Sequence, residues 1–257
     1  MGKIDDIQAY KEWTEYHRSL KRDKAADNLS PVERKKKLEK LEANVIEWIL
    51  FFFSEFAKYP FTKFHKKAIK RITTNMEWYE VLSWSRELAK STIVFMCMMY
   101  LVLTGKKKNV LLISNSHENA VRLLEPYKKA FESNSMLKAY YGDLREFGSW
   151  TADEFTLTTG ATFRAIGALE SPRGTRKDAV RPDTALVDDF DTDADCRNPD
   201  ILKKKWEWFE EALFPTRSIS EDLLVIFCGN LIALDCCVKR AGDKADHWDI
   251  AVSYTHL

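Results

Sequence analysis

Apolar residues recur at helical spacing through the first quarter of the chain. They fall three or four positions apart at Leu38, Leu41, Val45, Trp48, Phe52 and Phe56. This spacing predicts the buried face of a helix. Ser30 and Glu33 form the ends of a capping box, with Pro31 at the first helical position. An interfacial anchor is the alternative for the apolar run 45–53, but Glu47 interrupts it and it is too short to span a bilayer. We therefore predict a helical region over residues 1–72.

The pattern changes at about residue 77. Short runs that favour strands, at 78–84, 110–114, 185–187 and 223–227, alternate with helical periods. This alternation predicts an α/β fold whose largely parallel sheet is flanked by helices. Residues 155–166 predict a hairpin turning at Thr159-Gly160. Asn198 and Pro199 predict the start of a helix with four apolar residues on one face, namely Leu202, Trp206, Phe209 and Leu213.

Composition limits where nucleic acid could bind. The chain has 257 residues, 45% of them hydrophobic, which is enough for one good-sized core and a smaller extension. Its formal charge of +1 excludes a global positive field, so any DNA contact must come from a local patch. Lys106 to Lys108 form such a patch after Gly105, or else a solvated turn. The five scattered cysteines suit neither a zinc site nor a disulfide framework and indicate a reducing setting. We see no signal peptide.

A candidate phosphate loop lies between the strand 78–84 and the next helix. It consists of Ser85, Arg86, Glu87, Leu88, Ala89, Lys90, Ser91 and Thr92. Backbone N–H groups of such a loop surround phosphates, Lys90 would reach the β and γ oxygens, and Ser91 would hold magnesium. Trp84 and Ala89 occupy the two positions where the usual motif has glycine. Ala89 is acceptable there if its φ is negative. The alternative is a Lys-Ser-Thr sequence that merely opens a helix.

Two adjacent carboxylates end the apolar strand of the segment 183–189. Asp188 could hold magnesium, directly or through water, and Asp189 could orient and deprotonate the attacking water. The alternative is an acidic loop that caps the next helix, since the acidic run continues at Asp191, Asp193 and Asp195. This run imitates a calcium loop, but Ala194 stands where such loops require glycine.

A third strand, within residues 224–230, ends in Gly229-Asn230. Asn230 beside a γ-phosphate could sense whether that phosphate is present. An ordinary turn is the alternative.

Taken in order, these motifs resemble the large terminase ATPase domain of tailed bacteriophages over residues 78–230. That family has a deviant phosphate loop with an early arginine, matched here by Arg86. It also tends to have a hairpin with glycine, an Arg-Gly pair, an Arg-Pro-Asp sequence, an Asp-Asp strand end and a Gly-Asn coupling motif. These are matched by Thr159-Gly160-Ala161-Thr162-Phe163, Arg173-Gly174, Arg181-Pro182-Asp183, Asp188-Asp189 and Gly229-Asn230.

The resemblance implies a P-loop NTPase core that uses ATP and Mg²⁺ to drive double-stranded DNA into a procapsid. It implies a portal protein and a small terminase subunit as partners, a homo-oligomer, and the cytoplasm of an infected host, with no membrane. Arg86 would contact the γ-phosphate; a salt bridge within the loop is its alternative role. Arg173 or Arg176 stands where an arginine finger for a neighbouring subunit could lie.

Three segments follow from these predictions: a helical region 1–72, an ATPase domain 73–251, and a tail 252–257 that matches a translated sequencing-adapter end. The family's nuclease centre lies in a later domain, so we expect no nuclease activity here. The acids after Asn230 are Asp235, Asp243, Asp246 and Asp249. Two rivals stay open: a helicase or other ATPase stimulated by nucleic acid, and a non-catalytic assembly module with a degenerate loop.

Overall fold

The computed structural model describes residues 29–57, 59–171, 181–216 and 222–251. Three helices come first: α1 (Pro31–Glu42), α2 (Val45–Phe52) and α3 (Lys63–Thr74). The predicted capping box of Ser30 and Glu33 begins α1. Helices α1 to α3 fall in the region predicted to be helical, the bounds 1–72 stay a prediction, and residues 1–28 lie outside the described part of the chain.

The apolar stripe predicted for residues 38–56 is divided between two helices. Its break falls at Ala43 and Asn44, because the Asn44 side chain accepts hydrogen bonds from the Ile46 and Glu47 N–H groups and so starts α2 anew. Residues 48–53 of the apolar run are buried, as predicted, whereas Val45 and Ile46 are half-buried and Phe56, which lies beyond α2, is 45% exposed. The prediction that Phe56 belongs to the buried face was wrong.

One sheet of eight strands follows, in the order β3-β4-β5-β2-β6-β7-β1-β8. The strands are β1 (Trp78–Trp84), β2 (Asn109–Ser114), β3 (Arg145–Trp150), β4 (Glu154–Leu157), β5 (Thr162–Gly167), β6 (Thr184–Asp188), β7 (Leu224–Cys228) and β8 (His247–Ala251). All neighbouring pairs from β5 to β8 are parallel, while β4 runs antiparallel to both β3 and β5. The predicted α/β fold with a largely parallel sheet is confirmed, as is the hairpin, whose turn has Gly160 at φ 82°.

Helices cover both faces of this sheet. After β1 they are α4 (Lys90–Leu103), α5 (His117–Ser133), α6 (Ser135–Tyr141), α7 (Asp193–Cys196), α8 (Pro199–Glu207) and α9 (Cys237–Gly242). Asn198 caps α8 as predicted, and a π-helical turn, Trp208–Leu213, extends it. The first six helices pack on one face and the last helices on the other, because alternate strand residues belong to two separate hydrophobic clusters.

The helices α1 to α3 share one continuous hydrophobic cluster with α4 and the sheet. Trp48 of α2, for example, is fully buried and its ring lies 5.4 Å from that of Tyr100 on α4. The division between residues 72 and 73 stays a prediction. Among the described helices, none has both the length and the apolar character needed to cross a membrane.

Lys107 contradicts the prediction that Lys106 to Lys108 form a solvated turn or a DNA contact. Its side chain is only 2% exposed, and its ammonium group donates to the carbonyl oxygens of Met76, Asp183 and Asp222 at 2.9–3.0 Å. These residues lie one or two positions before β1, β6 and β7, and Lys107 itself lies two positions before β2. One buried ammonium therefore joins the amino ends of the four central strands, opposite the edge that bears the predicted site.

Candidate nucleotide-binding site

The predicted phosphate loop joins β1 to α4 in the expected order of strand, loop and helix. A 3-10 turn, Arg86–Leu88, fills the loop, and α4 begins at Lys90. Ala89 between them is left-handed, with φ 55° and ψ 28°. The condition of a negative φ, under which alanine would be acceptable here, is not met, because the chain reverses from the turn into the helix within this one residue. Such a conformation costs a residue with a side chain roughly 1–2 kcal/mol, which explains why glycine is usual here.

The start of α4 is open to an anion. None of the described side chains caps it, so the first N–H groups of the helix are available to phosphate oxygens at the positive end of its dipole. Ser85 at the other end of the loop donates its N–H to the Ala251 carbonyl at 2.9 Å, which holds the loop against β8. Glu87 is exposed and Thr92 is half-buried.

Lys90 and Asn230 meet across the carboxyl ends of β1 and β7, which are neighbouring strands. The Lys90 side chain is 7% exposed, and its Nζ lies 3.5 Å from Asn230 Oδ1. Gly229, just before Asn230, packs closely enough that a Cβ there would lie 2.2 Å from Val238 Cγ2. A side chain at this position would therefore force either Val238 or the strand end that carries Asn230 to shift.

Ser91 and Asp188 form the second contact of the site. The Ser91 hydroxyl donates to Asp188 Oδ2 at 2.6 Å, joining the first turn of α4 to the end of β6. Burial raises the pKa of Asp188 to about 6, although the Ser91 hydrogen bond opposes that shift. These are the paired hydroxyl and carboxylate oxygens that a hard cation such as magnesium prefers.

Asp189 follows with a left-handed backbone, φ 47°, and an exposed side chain. This conformation directs Asp189 away from the strand, while its N–H donates to Asp188 Oδ1 at 3.1 Å. Asp189, Asp191 and Asn230 all line a cavity of about 230 Å³. The structure thus places Lys90, Ser91, Asp188, Asp189 and Asn230 around one edge of the sheet.

The acids that continue the run have other partners. Asp191 accepts the Val238 N–H at 3.0 Å, which ties the loop to α9. Asp195 pairs with Lys205 at 2.8 Å and completes a capping box with Thr192 at the start of α7. The helix-capping alternative therefore describes Asp195, whereas Asp188 and Asp189 lie at the candidate site.

Several predicted residues lie wholly or partly outside the described structure. The backbone of Arg86 lies in the 3-10 turn, but its side chain is outside the described part of the structure. Arg173 and Arg176 lie in the undescribed segment 172–180, and the predicted tail 252–257 is likewise outside. Asp183 of the Arg-Pro-Asp sequence lies at the opposite edge of the sheet, where its carboxylate accepts the N–H groups of Lys108 and Asn109.

One residue of the loop's surroundings gave no signal in the sequence. His65, on α3, packs its ring against Trp84 with a centroid distance of 5.5 Å. Its Nε2 lies 3.1 Å from the Leu88 carbonyl oxygen, within the phosphate loop. Only the packing of α3 on α4 brings these two residues together, because 23 positions separate them in the chain.

A second acidic group lies away from the site. Glu80, His247 and Asp249 have ligand-type atoms within 4.8 Å of one another on β1 and β8. The Arg71 guanidinium already pairs with Glu80 and with Asp249, each at 2.6 Å. This group is therefore an ion-pair network that fastens α3 to the sheet.

The other late aspartates also have separate partners. Asp235 pairs with Arg240 and Asp243 with Lys239, while Asp246 accepts the Tyr79 N–H.

Comparisons with known proteins give a likeness of fold without a close relative. No protein-family model matches the sequence, and no curated protein does either. Among solved structures, the HK97 bacteriophage large terminase is similar over 76% of this chain and 39% of its own, at 13% identity and TM-score 0.50. The Thermus phage P74-26 large terminase ATPase domain, as its R139A mutant, is similar over 79% of this chain and 84% of its own, at 14% identity and TM-score 0.47. The chain thus spans about two fifths of the HK97 protein. The resemblance drawn from the motifs is confirmed as a shared fold, that of the HK97 large terminase.

Proposed function

We propose that this chain is the ATP-hydrolysing motor part of a viral terminase large subunit. The supporting observation is that Lys90, Ser91, Asp188 and Asn230 converge at the carboxyl ends of three adjacent parallel strands. Ligands of open α/β sheets bind at such an edge. The likeness of fold to the HK97 large terminase supports the same proposal.

The residues at this edge suit a magnesium–nucleotide complex. Ser91 and Asp188 would hold Mg²⁺, whose charge would offset that of the phosphate oxygens when it is bound. Lys90 is buried and cationic, and it would bind the β and γ oxygens. The open first turn of α4 would supply N–H groups to the β-phosphate.

Hydrolysis would proceed by in-line attack of water on the γ-phosphate. Asp189 follows Asp188 at the end of β6 with an exposed side chain that lines the cavity, and it would orient the water and accept its proton. Asn230 contacts Lys90 and would report whether the γ-phosphate is present. We propose Arg86 as a further γ-phosphate contact, and Arg173 or Arg176 as the finger that acts on a neighbouring subunit.

Double-stranded DNA is the proposed cargo, moved into a procapsid in the host cytoplasm. A portal protein, a small terminase subunit and further copies of this chain are the proposed partners. Helix α3 offers the best-defined surface for DNA, with four exposed lysines on one face at Lys63, Lys66, Lys67 and Lys70. Its sequence contains no acidic residue. The opposite face of α3 packs into the core, so the lysine face is held rigidly towards solvent.

Replacing Lys90 tests the proposal directly. Lys90→Ala leaves phosphate charge uncompensated, so we expect ATP turnover with Mg²⁺ to fall by about 10²–10³-fold with little change in melting temperature. Lys108→Ala, an exposed lysine outside the site, is the matched control. Wild-type turnover in the Lys90 variant would reject this phosphate loop.

The rival functions give other results. Absence of nucleotide binding by the wild-type chain would favour a non-catalytic assembly module. Stimulation of turnover by single strands or RNA, but not by duplex DNA, would favour a helicase-like ATPase.

A further inference from the structure

His65 contacts two backbone segments through its two ring nitrogens. Nδ1 lies 3.3 Å from the Thr62 backbone N and 3.1 Å from the Thr62 Oγ1, at the start of α3. Nε2 lies 3.1 Å from the Leu88 carbonyl oxygen, in the phosphate loop. The ring therefore spans the gap between the first turn of α3 and the loop that precedes α4.

These partners fix the protonation state of the ring. The Thr62 N–H can only donate, so Nδ1 must be the acceptor, and the Leu88 carbonyl can only accept, so Nε2 must carry the proton. Both contacts are satisfied together only by the neutral ring protonated at Nε2. Burial between Phe64 and Trp84 acts in the same direction, because it lowers the pKa of His65.

The bond to Leu88 also determines where the next N–H points. The Leu88–Ala89 peptide is trans, as are all described peptide bonds, so its C=O and N–H point in opposite directions. With the carbonyl held by His65 on the α3 side, the Ala89 N–H faces away from α3. Within the described part of the chain this N–H has no acceptor.

Ala89 needs such support more than a glycine would. Ala89 has a left-handed backbone, which a Cβ atom disfavours, and the usual motif has glycine at this position. A rotation of the Leu88–Ala89 peptide would relieve that conformation, and it would also break the hydrogen bond to His65.

We propose that His65 is a positioning residue for the phosphate loop, holding the Leu88–Ala89 peptide so that the Ala89 N–H faces the nucleotide phosphates. The role of His65 towards the nucleotide rests on the proposed ATPase function. His65 itself would touch neither ATP nor magnesium. Its contribution is to keep ordered a loop that lacks its glycine.

Two substitutions test the contacts of the two ring nitrogens separately. In His65→Gln the side-chain amide can place an N–H near the position of Nε2, so the bond to Leu88 is retained. In His65→Asn the side-chain oxygen replaces Nδ1 at Thr62, but nothing reaches Leu88. His117→Asn, on a half-exposed histidine paired with Glu170, is the matched control.

The first measurement needs no nucleotide. Ring ¹⁵N spectra at pH 7 should show His65 neutral and protonated at Nε2. The carbonyl ¹³C shift of Leu88 reports the hydrogen bond that this oxygen accepts, so it should change in His65→Asn and stay near the wild-type value in His65→Gln. A charged ring, an Nδ1–H tautomer, or the same Leu88 carbonyl shift in the three proteins would overturn the proposal.

The second measurement concerns ATP. We expect His65→Asn to raise the KM for ATP about five- to tenfold, the effect of one lost hydrogen bond, with a smaller effect on kcat and little change in melting temperature. His65→Gln and His117→Asn should stay near wild type. If the wild-type chain binds ATP and His65→Asn binds it equally well, the positioning role is wrong. If the wild type does not bind ATP, the ATPase proposal fails instead, and the ring and carbonyl spectra still decide whether His65 holds the Leu88 carbonyl.

Discussion

Asp188 and Asp189 are adjacent in sequence, but their surroundings differ. Asp188 is buried and bonded to Ser91, whereas Asp189 is exposed beside the cavity. We expect Asp189→Asn to retain binding of magnesium–ATP and to lose turnover by about 10²–10⁴-fold, the usual contribution of a general base. Asp188→Asn should in addition weaken the magnesium dependence of binding, because it removes a charged oxygen from the proposed metal site.

Calorimetry with and without Mg²⁺, together with steady-state turnover, separates these two variants. Asp200→Asn, on the exposed first turn of α8, is the control. Identical binding and turnover in the two site variants would remove the distinction between a metal ligand and a base.

Asn230 contacts Lys90 through its side-chain oxygen at 3.5 Å. If Asn230 responds to the γ-phosphate, Asn230→Ala should reduce kcat about tenfold, equivalent to one hydrogen bond, and should change the Kd for ATP much less. Asn119→Ala on α5 provides the control. An unchanged kcat would mean that Asn230 is an ordinary turn residue.

For single residues, the sequence was most informative about positions at the ends of strands. Lys90, Ser91, Asp188 and Asn230 were predicted to converge because the carboxyl ends of parallel strands share one edge, and they do. The contact of His65 could not be predicted, because it depends on how α3 packs against the loop and leaves no periodic or motif signal in either segment. The positive φ of Ala89 comes from the reversal between turn and helix, and the glycine that the usual motif has at this position was the signal for it.

Helix α3 presents its lysines as one charged face. Each lysine that neutralises a DNA phosphate adds about 0.9 to the slope of log affinity against log salt. We therefore expect Lys66→Gln combined with Lys70→Gln to weaken binding of duplex DNA and to reduce that slope by about 1.8. Fluorescence anisotropy over a salt series measures both quantities.

The matched control for that experiment is Lys203→Gln with Lys204→Gln, two exposed lysines on α8. Equal losses in both double variants would indicate a general charge effect. An unchanged slope in the α3 variant would place DNA elsewhere on the molecule.

Elements with strong local patterns were predicted within a residue or two. The strand run predicted at 185–187 is β6, Thr184–Asp188, and Asn198 caps α8 as its position before Pro199 suggested. The break between α1 and α2 was missed, because a hydrophobic period continues across it. The Asn44 side chain starts a new helix by accepting hydrogen bonds from the Ile46 and Glu47 N–H groups, and the hydrophobic spacing gives no sign of those bonds.

At the scale of the whole molecule, the late aspartates are dispersed. Asp235, Asp243, Asp246 and Asp249 each have a separate partner, and Arg71 already neutralises the carboxylates of Glu80 and Asp249. Two-metal cleavage requires several carboxylates free to share metal ions. We therefore expect no cutting of supercoiled plasmid in Mg²⁺ or Mn²⁺, as followed by agarose gel. Cleavage that survives repurification and disappears in an Asp249→Asn variant would contradict this expectation.

The layered architecture followed from the alternation of strand and helix patterns, but the strand order did not. Local patterns do not specify which strands become neighbours, and here β7 lies between β6 and β1. That placement is what lets Asn230 reach Lys90.

Lys107 has a consequence for any survey of basic residues. In a scan that replaced each lysine by alanine and scored DNA binding, Lys107→Ala would leave three carbonyl oxygens without this donor and would loosen four strands at once. Binding would fall because folded protein was lost, and the position would be mistaken for a contact. Its neighbour Lys108 is exposed, so Lys108→Ala should leave the protein folded, and any loss of DNA binding would then reflect a lost contact. Circular dichroism of each variant distinguishes the two cases. The fraction of folded protein should therefore be measured for every variant before its residue is assigned as a DNA contact.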